Sequence, residues 1–286
     1  MANTFASRMI INVLGIPGIL LLVYLGRFYF AIFITLVCLL ALREFYLLCR
    51  IKGISPQFSV GALACILISL FYYRGLESTI LSFSWQNIVI LLVLITIVFE
   101  LFRNKEKGTE NIAITLGGIL YIPILLGGLI ALRQIDLLDY SFGMRLTMSL
   151  FITLWVCDSA AYVFGKMWGK KKILERVSPK KTVTGCTAGL VSAILIYLLI
   201  WKLGYLESSQ SSVSLSILDV LILGIIVGVF GQMGDFIESL IKRDVGVKDS
   251  SNFLLGHGGV LDRFDSLIVA SPLTYLYLKL SIGSGV

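Results

Sequence analysis

The chain has 286 residues, 57% of them hydrophobic and 14% charged, with a mean hydropathy of +0.93. A soluble domain averages roughly 45–50% apolar and about 25% charged, so this composition excludes an ordinary soluble fold and reads as an integral membrane protein. No polar stretch is long enough for a separate soluble domain, and the net charge of +7 does not by itself imply nucleic acid, because its placement along the chain decides its meaning.

The first residues, MANTFASRMIINVLG, put one Arg ahead of an apolar run. The pattern allows a signal peptide, but no small-residue cleavage site follows clearly. Gly15, Pro17 and Gly18 suit a first spanning helix with a kink. Apolar runs then recur at 9–26, 29–48, 58–73, 87–101, 112–132, 147–165, 183–203, 215–236 and 266–282. With roughly 20 residues per crossing, they predict an all-α polytopic membrane bundle of about nine helices. Runs of this length exclude barrel strands. Five cysteines (Cys38, Cys49, Cys65, Cys157, Cys186) are scattered mostly through these runs with no CxxC or Cys/His spacing. They predict free thiols and argue against a disulfide framework or a zinc site.

Numbering the loops alternately sorts the basic residues. One set of loops holds Arg8; Arg50 and Lys52; Arg103, Lys105 and Lys107; Lys166, Lys170, Lys171, Lys172, Arg176, Lys180 and Lys181; then Lys242, Arg243, Lys248 and Arg263. The opposite set holds Arg27, Arg74, Arg133, Arg145, Lys202 and Lys279, with Arg43 inside the second helix. This asymmetry predicts a cytoplasmic N-terminus and an external C-terminus. Topology and anionic lipid headgroups explain the charge of the earlier loops; the two richest loops are patterned and need more. Among the acids in or beside apolar runs, Glu44 is expected to pair with Arg43 or Arg50 at the interface, and Asp219 falls on the outer side.

Asp158 is the first acid that reads as functional. It lies in the cytoplasmic half of an apolar run, where burial demands a cation, a metal or a hydrogen-bond network, and Ser159, Ala160 and Ala161 permit close helix packing. Beyond it, Ser178-Pro179-Lys180-Lys181-Thr182 offers two cations and two hydroxyls ahead of a helix, which suits a triphosphate. Positive-inside topology is the alternative account of these lysines.

The stretch 239–265, SLIKRDVGVKDSSNFLLGHGGVLDRFD, concentrates charge of both signs between two apolar runs. Ahead of it, Asp235, Glu238, Ser239 and Lys242 have helical spacing and share one face. Two acids and a hydroxyl there make a Mg²⁺ ligand set by chemistry, unless Asp235 and Glu238 are spent on salt bridges with Lys242 or other basic residues. Glycines around His257 allow close backbone approach and an anion nest, or simply a turn. His257 is read as a phosphate or loop-ordering contact, because a phosphate nucleophile needs no general base. Asp262 and Asp265 project from one face near a helix N-terminus, where anions or metal-bridged anions are favoured; Asp265 could equally be an N-cap.

These residues resemble the signature of the phosphatidate cytidylyltransferases, also called CDP-diacylglycerol synthases. Ser239, Ile241, Lys242, Arg243, Lys248, Asp249, His257, Gly258, Gly259, Asp262, Arg263, Phe264 and Asp265 meet its Ser-x-apolar-Lys-Arg, Lys-Asp, His-Gly-Gly and Asp-Arg-apolar-Asp blocks. The 158–185 stretch is similar through Asp158, Ala161, Tyr162, Gly165, Gly169, Ser178, Pro179, Lys180, Lys181, Thr182 and Gly185. Leu255 replaces a usual Pro, and Val183-Thr184 replace a common Trp-Glu, which removes an acidic contact. The resemblance covers the C-terminal half well; the N-terminal half matches in hydrophobicity.

The resemblance implies cytidylyl transfer from CTP to phosphatidate, giving CDP-diacylglycerol and pyrophosphate in phospholipid synthesis. It implies a division into N-terminal transmembrane helices (1–110) and a C-terminal transmembrane catalytic region (111–286) with cytoplasmic loops at 165–182 and 237–265. Metal ligands are expected from Asp235, Asp249, Asp262 and Asp265, with Mg²⁺ the expected ion and room for a second cation. Asp249, Asp262, Lys242, Arg243, Lys248 and Arg263 are the expected catalytic set. Ser178, Lys180, Lys181, Thr182, Ser239, His257, Gly258 and Gly259 are the expected substrate contacts. The expected partners are CTP, phosphatidate and membrane lipid, without nucleic acid, at the plasma (inner) membrane with the site facing the cytoplasm. Small-residue faces allow a homodimer without demanding one. A CTP-dependent polyprenol kinase-like enzyme would move the γ-phosphoryl group instead. A transporter of a phosphorylated metabolite would more usually carry charges at the midplane and internal repeats.

Overall fold

The computed structural model describes residues 15–74, 84–135, 141–207, 215–251 and 258–282. Among the described residues the chain is helical, without strands, and has one isolated bridge between Lys172 and Thr182. The helices are α1 (Gly15–Leu25), α2 (Arg27–Ile51), α3 (Phe58–Arg74), α4 (Trp85–Arg103), α5 (Gly108–Gln134), α6 (Phe142–Trp168), α7 (Val183–Lys202), α8 (Ile217–Asp244) and α9 (Leu261–Ile282). Six of them, α2 and α4 to α8, are long and apolar enough to cross a membrane, and α1 and α3 are shorter apolar helices. The chain is a polytopic helical membrane protein. Its backbone polar groups are satisfied inside helices, the arrangement hydrocarbon requires.

The contacts fall into two compact units, Met1–Ala131 with Asp244–Phe264 and Leu132–Arg243 with Asp265–Val286. In the first, α3, α4 and α5 pack around Ala64, Ile68, Ile88, Leu92 and Ile119, and α2 packs on α3 and α5. Glu100 is buried here but fully engaged. It accepts from Asn111 Nδ2 (2.6 Å), Gln57 Nε2 (2.6 Å) and Arg103 Nη1 (2.8 Å). In the second unit, α7 packs on α6 and α8. Glycines set the spacing: a Cβ on Gly224 or Gly228 would stand 2.8 Å from the Cα of Ile194 or Leu190, and one on Gly231 would stand 2.7 Å from Leu154.

Two helices differ from plain spans. In α5 a π turn occupies Leu120–Ile124 and contains Pro123. Proline has no N–H to give the helical ladder and its ring crowds the preceding turn. In α8 a π turn occupies Ile226–Gly231. Its extra residue shifts the face of the following turns by about 100° relative to an uninterrupted helix. The α8 helix starts on a capping box, with Ser216 Oγ accepting from Asp219 N at 3.2 Å and Asp219 Oδ2 accepting from Ser216 N at 2.7 Å. Asp219 also accepts from Tyr277 Oη at 2.6 Å, so its role is structural.

Candidate active site

In the second unit the site begins where α6 hands over to α7. Residues 169–182 form an ordered loop: Val183 N donates to Lys171 O (2.9 Å), Ser178 N to Leu174 O (2.8 Å) and Lys181 N to Ser178 O (3.2 Å). Thr182 caps α7, its Oγ1 accepting from Gly185 N at 3.1 Å. A Cβ on Gly185 would lie 2.6 Å from Ala161 O, and one on Gly165 would lie 3.3 Å from Gly185 Cα. Gly165 and Gly185 therefore let α6 and the start of α7 touch backbone to backbone. This packing holds the Lys180-Lys181 pair at the cap of α7, close to the C-terminal turns of α6.

Lys181 turns back onto α8. Its Nζ is 2.6 Å from Asp235 Oδ2 and 4.6 Å from the centre of the Phe236 ring. Asp265 is buried on the first turns of α9, ahead of its apolar run, and its Oδ1 accepts from Ser266 N at 2.7 Å. Gly234 makes the approach of α8 to Asp265 and Ser266 tight: a Cβ would stand 2.9 Å from Ser266 Cα. Burial first, and then the negative charges of Asp235 and, less, Asp158, hold the Asp265 carboxyl well above the usual carboxylate range; the Ser266 N–H and then Lys181 oppose this. Asp158, Lys181, Asp235 and Asp265 thus form one electrostatic cluster with three acids and one cation.

Other expected site residues are placed differently. Glu238 and Lys242, one turn apart on α8, are both buried and form an ion pair. This is the salt-bridge alternative for Glu238, while Asp235 takes Lys181. Ser239 Oγ lies 3.5 Å from Asp235 Oδ1, too long to hold it firmly. Arg243 Nε donates to Val177 O at 3.4 Å. Ser178 is half-buried and Lys180 exposed.

In the first unit, Lys248, Asp249 and Arg263 are exposed. Lys52 pairs with Asp244, where α8 ends. Asp262 Oδ2 accepts from Ser250 Oγ (2.7 Å), Gly259 N (2.7 Å) and Ser250 N (3.0 Å), and so ties together the two sides of the glycine loop. Gly258 has φ +77, and a Cβ there would come within 2.6 Å of Asp262 Oδ2. His257 lies outside the described residues. The residue missed in the sequence is Glu44. Its carboxylate receives Ser250, Ser251, Val260 and Leu261 rather than Arg43 or Arg50. Its signal was available: an acid within an apolar run is a functional candidate by default.

Carboxylates and lysines gathered at the ends of apolar helices define a membrane-embedded enzyme class suited to phosphate chemistry. The comparisons specify it further. The model of the cytidylyltransferase family matches residues 6–281, and the chain belongs to that family. It is 32% identical over 276 residues to the phosphatidate cytidylyltransferase of Bacillus subtilis, covering 96% of this chain and 97% of that one. It is 30% identical to the phosphatidate cytidylyltransferase of Synechocystis sp., covering 96% of each. Against that of Staphylococcus saprophyticus it is 33% identical over 258 residues, 88% of this chain and 91% of the other.

Proposed function

We propose that this chain transfers the cytidylyl group of CTP to phosphatidate, giving CDP-diacylglycerol and pyrophosphate. The family match across 6–281 supports this, and the observation that carries it to residues is the cluster of Lys181 with Asp235, beside Asp265 and Asp158. A phosphate oxygen of phosphatidate attacks the α-phosphorus of CTP. The P–O bond to the β-phosphate breaks, and pyrophosphate leaves with the electron pair. The nucleophile is already ionised, so no general base is needed. The barrier is the mutual repulsion of two polyanions, and positioning with charge neutralisation lowers it. Lys180, Lys181, Lys242, Arg243, Lys248 and Arg263 hold phosphates and stabilise the leaving pyrophosphate. Ser178, Thr182, Ser239, His257, Gly258 and Gly259 line the substrates.

The donor chemistry fits Mg²⁺, which takes one or two carboxylates and completes its shell with phosphate oxygens and water. Among the described residues no three His, Cys, Asp or Glu side chains are grouped so as to hold a metal ion by themselves. Asp235, Asp249, Asp262 and Asp265 are the acids from which its ligands are drawn, and the same set admits a second cation. When bound, the ion offsets phosphate charge in the transition state.

The one-sided distribution of Lys and Arg along the sequence supports a cytoplasmic N-terminus and a site facing cytoplasmic CTP at the plasma (inner) membrane. The acyl chains of phosphatidate then stay in the bilayer. A homodimer through small-residue helix faces is compatible with this reading.

The test is purified protein incubated with Mg²⁺, phosphatidate and CTP labelled at either the α- or the γ-phosphate. Label from the α position in the lipid product is expected. Label from the γ position would replace this reading with a kinase, and uptake of a phosphorylated solute without any lipid product would replace it with a transporter.

A further inference from the structure

Glu44 belongs to α2, far in sequence from the signature, and only 3% of the residue is exposed. Its Oε1 accepts from Ser251 Oγ at 2.6 Å and Val260 N at 3.0 Å. Its Oε2 accepts from Leu261 N at 2.8 Å and lies 3.1 Å from Ser250 Oγ. A carboxylate offers about four lone-pair sites and no donor; Ser251 Oγ, Val260 N and Leu261 N occupy three of them, and Ser250 Oγ stands at the fourth, its single proton shared between Glu44 and Asp262. Two precede the Gly-His-Gly-Gly stretch and two follow it. Val260 and Leu261 stand at the start of α9, where backbone N–H groups have no partner within the helix. Glu44 supplies the acceptors that a local N-cap would otherwise provide. Ser250 links this carboxylate to Asp262, its hydroxyl lying within reach of both. Gly259 makes the arrangement fit, since a Cβ there would overlap Glu44 Oε2 and Ser250 Oγ.

We infer that Glu44 is a positioning residue: a buried carboxylate on α2 that clasps both ends of the signature loop and thereby sets Asp249 and Asp262 for the reaction. Its activity readout rests on the cytidylyl-transfer reading above. Glutamine at this position keeps the size but turns one acceptor oxygen into a donor, and neither backbone N–H can accept from it.

The test compares wild type, Glu44→Gln and Glu44→Asp in lipid nanodiscs by steady-state turnover with varied CTP. Hydrogen exchange is followed in peptides covering 258–264. E44Q is expected to lower kcat on the order of 10²-fold, as misplacement of reacting groups does, with a smaller change in KM for CTP. Exchange at 260 and 261 should be faster. E44D restores the acceptors with a shorter reach and should recover part of the turnover. Wild-type kcat in E44Q, or lost activity with unchanged exchange at 260 and 261, would overturn the inference. If E44Q does not fold, Ser251→Ala is measured the same way. That variant removes one donor and should lower kcat about fivefold with faster exchange; unchanged values of both would overturn the inference. If wild type makes no lipid product, the cytidylyl reading fails, while the exchange comparison still decides whether Glu44 holds the loop.

Discussion

Lys181 Nζ stands 2.6 Å from Asp235 Oδ2, joining the loop before α7 to α8 at the point where Asp265 of α9 is also buried. The pair is partly exposed, so its contribution to stability is small, about 1 kcal/mol or less. Its chemical consequence is larger. Lys181 pairs with Asp235 and offsets the charge near Asp265, and on the proposed reading it would turn to the substrate phosphates. Lys181→Met should therefore lower turnover on the order of 10²-fold, the effect of removing one preorganised electrostatic contact. It should change thermal stability little. Turnover within a few fold of wild type would remove Lys181 from the phosphate-holding set.

Asp265 gives a pH-dependent expectation. An unfolded Asp ionises near pH 3.9, whereas burial and Asp235 raise the folded-state value. In the window from about pH 4 up to that raised value the folded state binds the extra proton. Stability therefore falls as pH rises, by at most about 1.4 kcal/mol per pH unit. Asp265→Asn removes this penalty. The substrate-free variant should melt above wild type at about pH 8 and converge with it below about pH 4, while losing activity. A variant less stable than wild type at the higher pH would contradict this account of Asp265.

The helical class was legible because crossing hydrocarbon demands long apolar runs; of the nine expected spans, six correspond to helices long and apolar enough to cross among the described residues. The face carrying Asp235, Glu238, Ser239 and Lys242 was legible from helical spacing, because all four follow the π turn of Ile226–Gly231 and keep a common register. How that face is aimed was not legible, since an apolar run containing glycines gives no sign of one inserted residue. The partners of Glu44 were also out of reach: Ser250 is 206 residues away, and periodicity reports only neighbours along one element. The two glycines Gly165 and Gly185 were read as parts of a motif, and the structure supplies their reason, the close approach of two helix backbones.

The buried Glu238–Lys242 pair separates structure from chemistry. Removing one partner leaves the other charge buried, which generally costs about 3–5 kcal/mol. Glu238→Met alone should destabilise by that order in a thermal or denaturant melt. The double variant Glu238→Met/Lys242→Met removes both charges and should melt close to wild type, because apolar replacements of buried pairs are often neutral. Activity of the double variant then reports on Lys242 itself. A loss on the order of 10²-fold would keep Lys242 among the phosphate-holding residues; wild-type activity would make the pair purely structural.

Gly185 offers a test of the frame that carries the lysines. A methyl group there would meet Ala161 O at 2.6 Å, Gly165 Cα at 3.1 Å and Thr182 Oγ1 at 3.2 Å. The first two are backbone atoms of α6, so α7 must move away from α6 to admit it. Overpacking of this kind typically costs about 1–3 kcal/mol, and the displacement acts on the cap at Thr182 and on Lys181 beside it. Gly185→Ala should therefore lower the melting temperature and reduce kcat more than KM for CTP. Gly246→Ala is the control for a glycine in open space: its φ of +76 carries backbone strain, but a Cβ meets nothing within 4 Å. If both variants reduce kcat alike, close packing of α6 on α7 is not what positions Lys181.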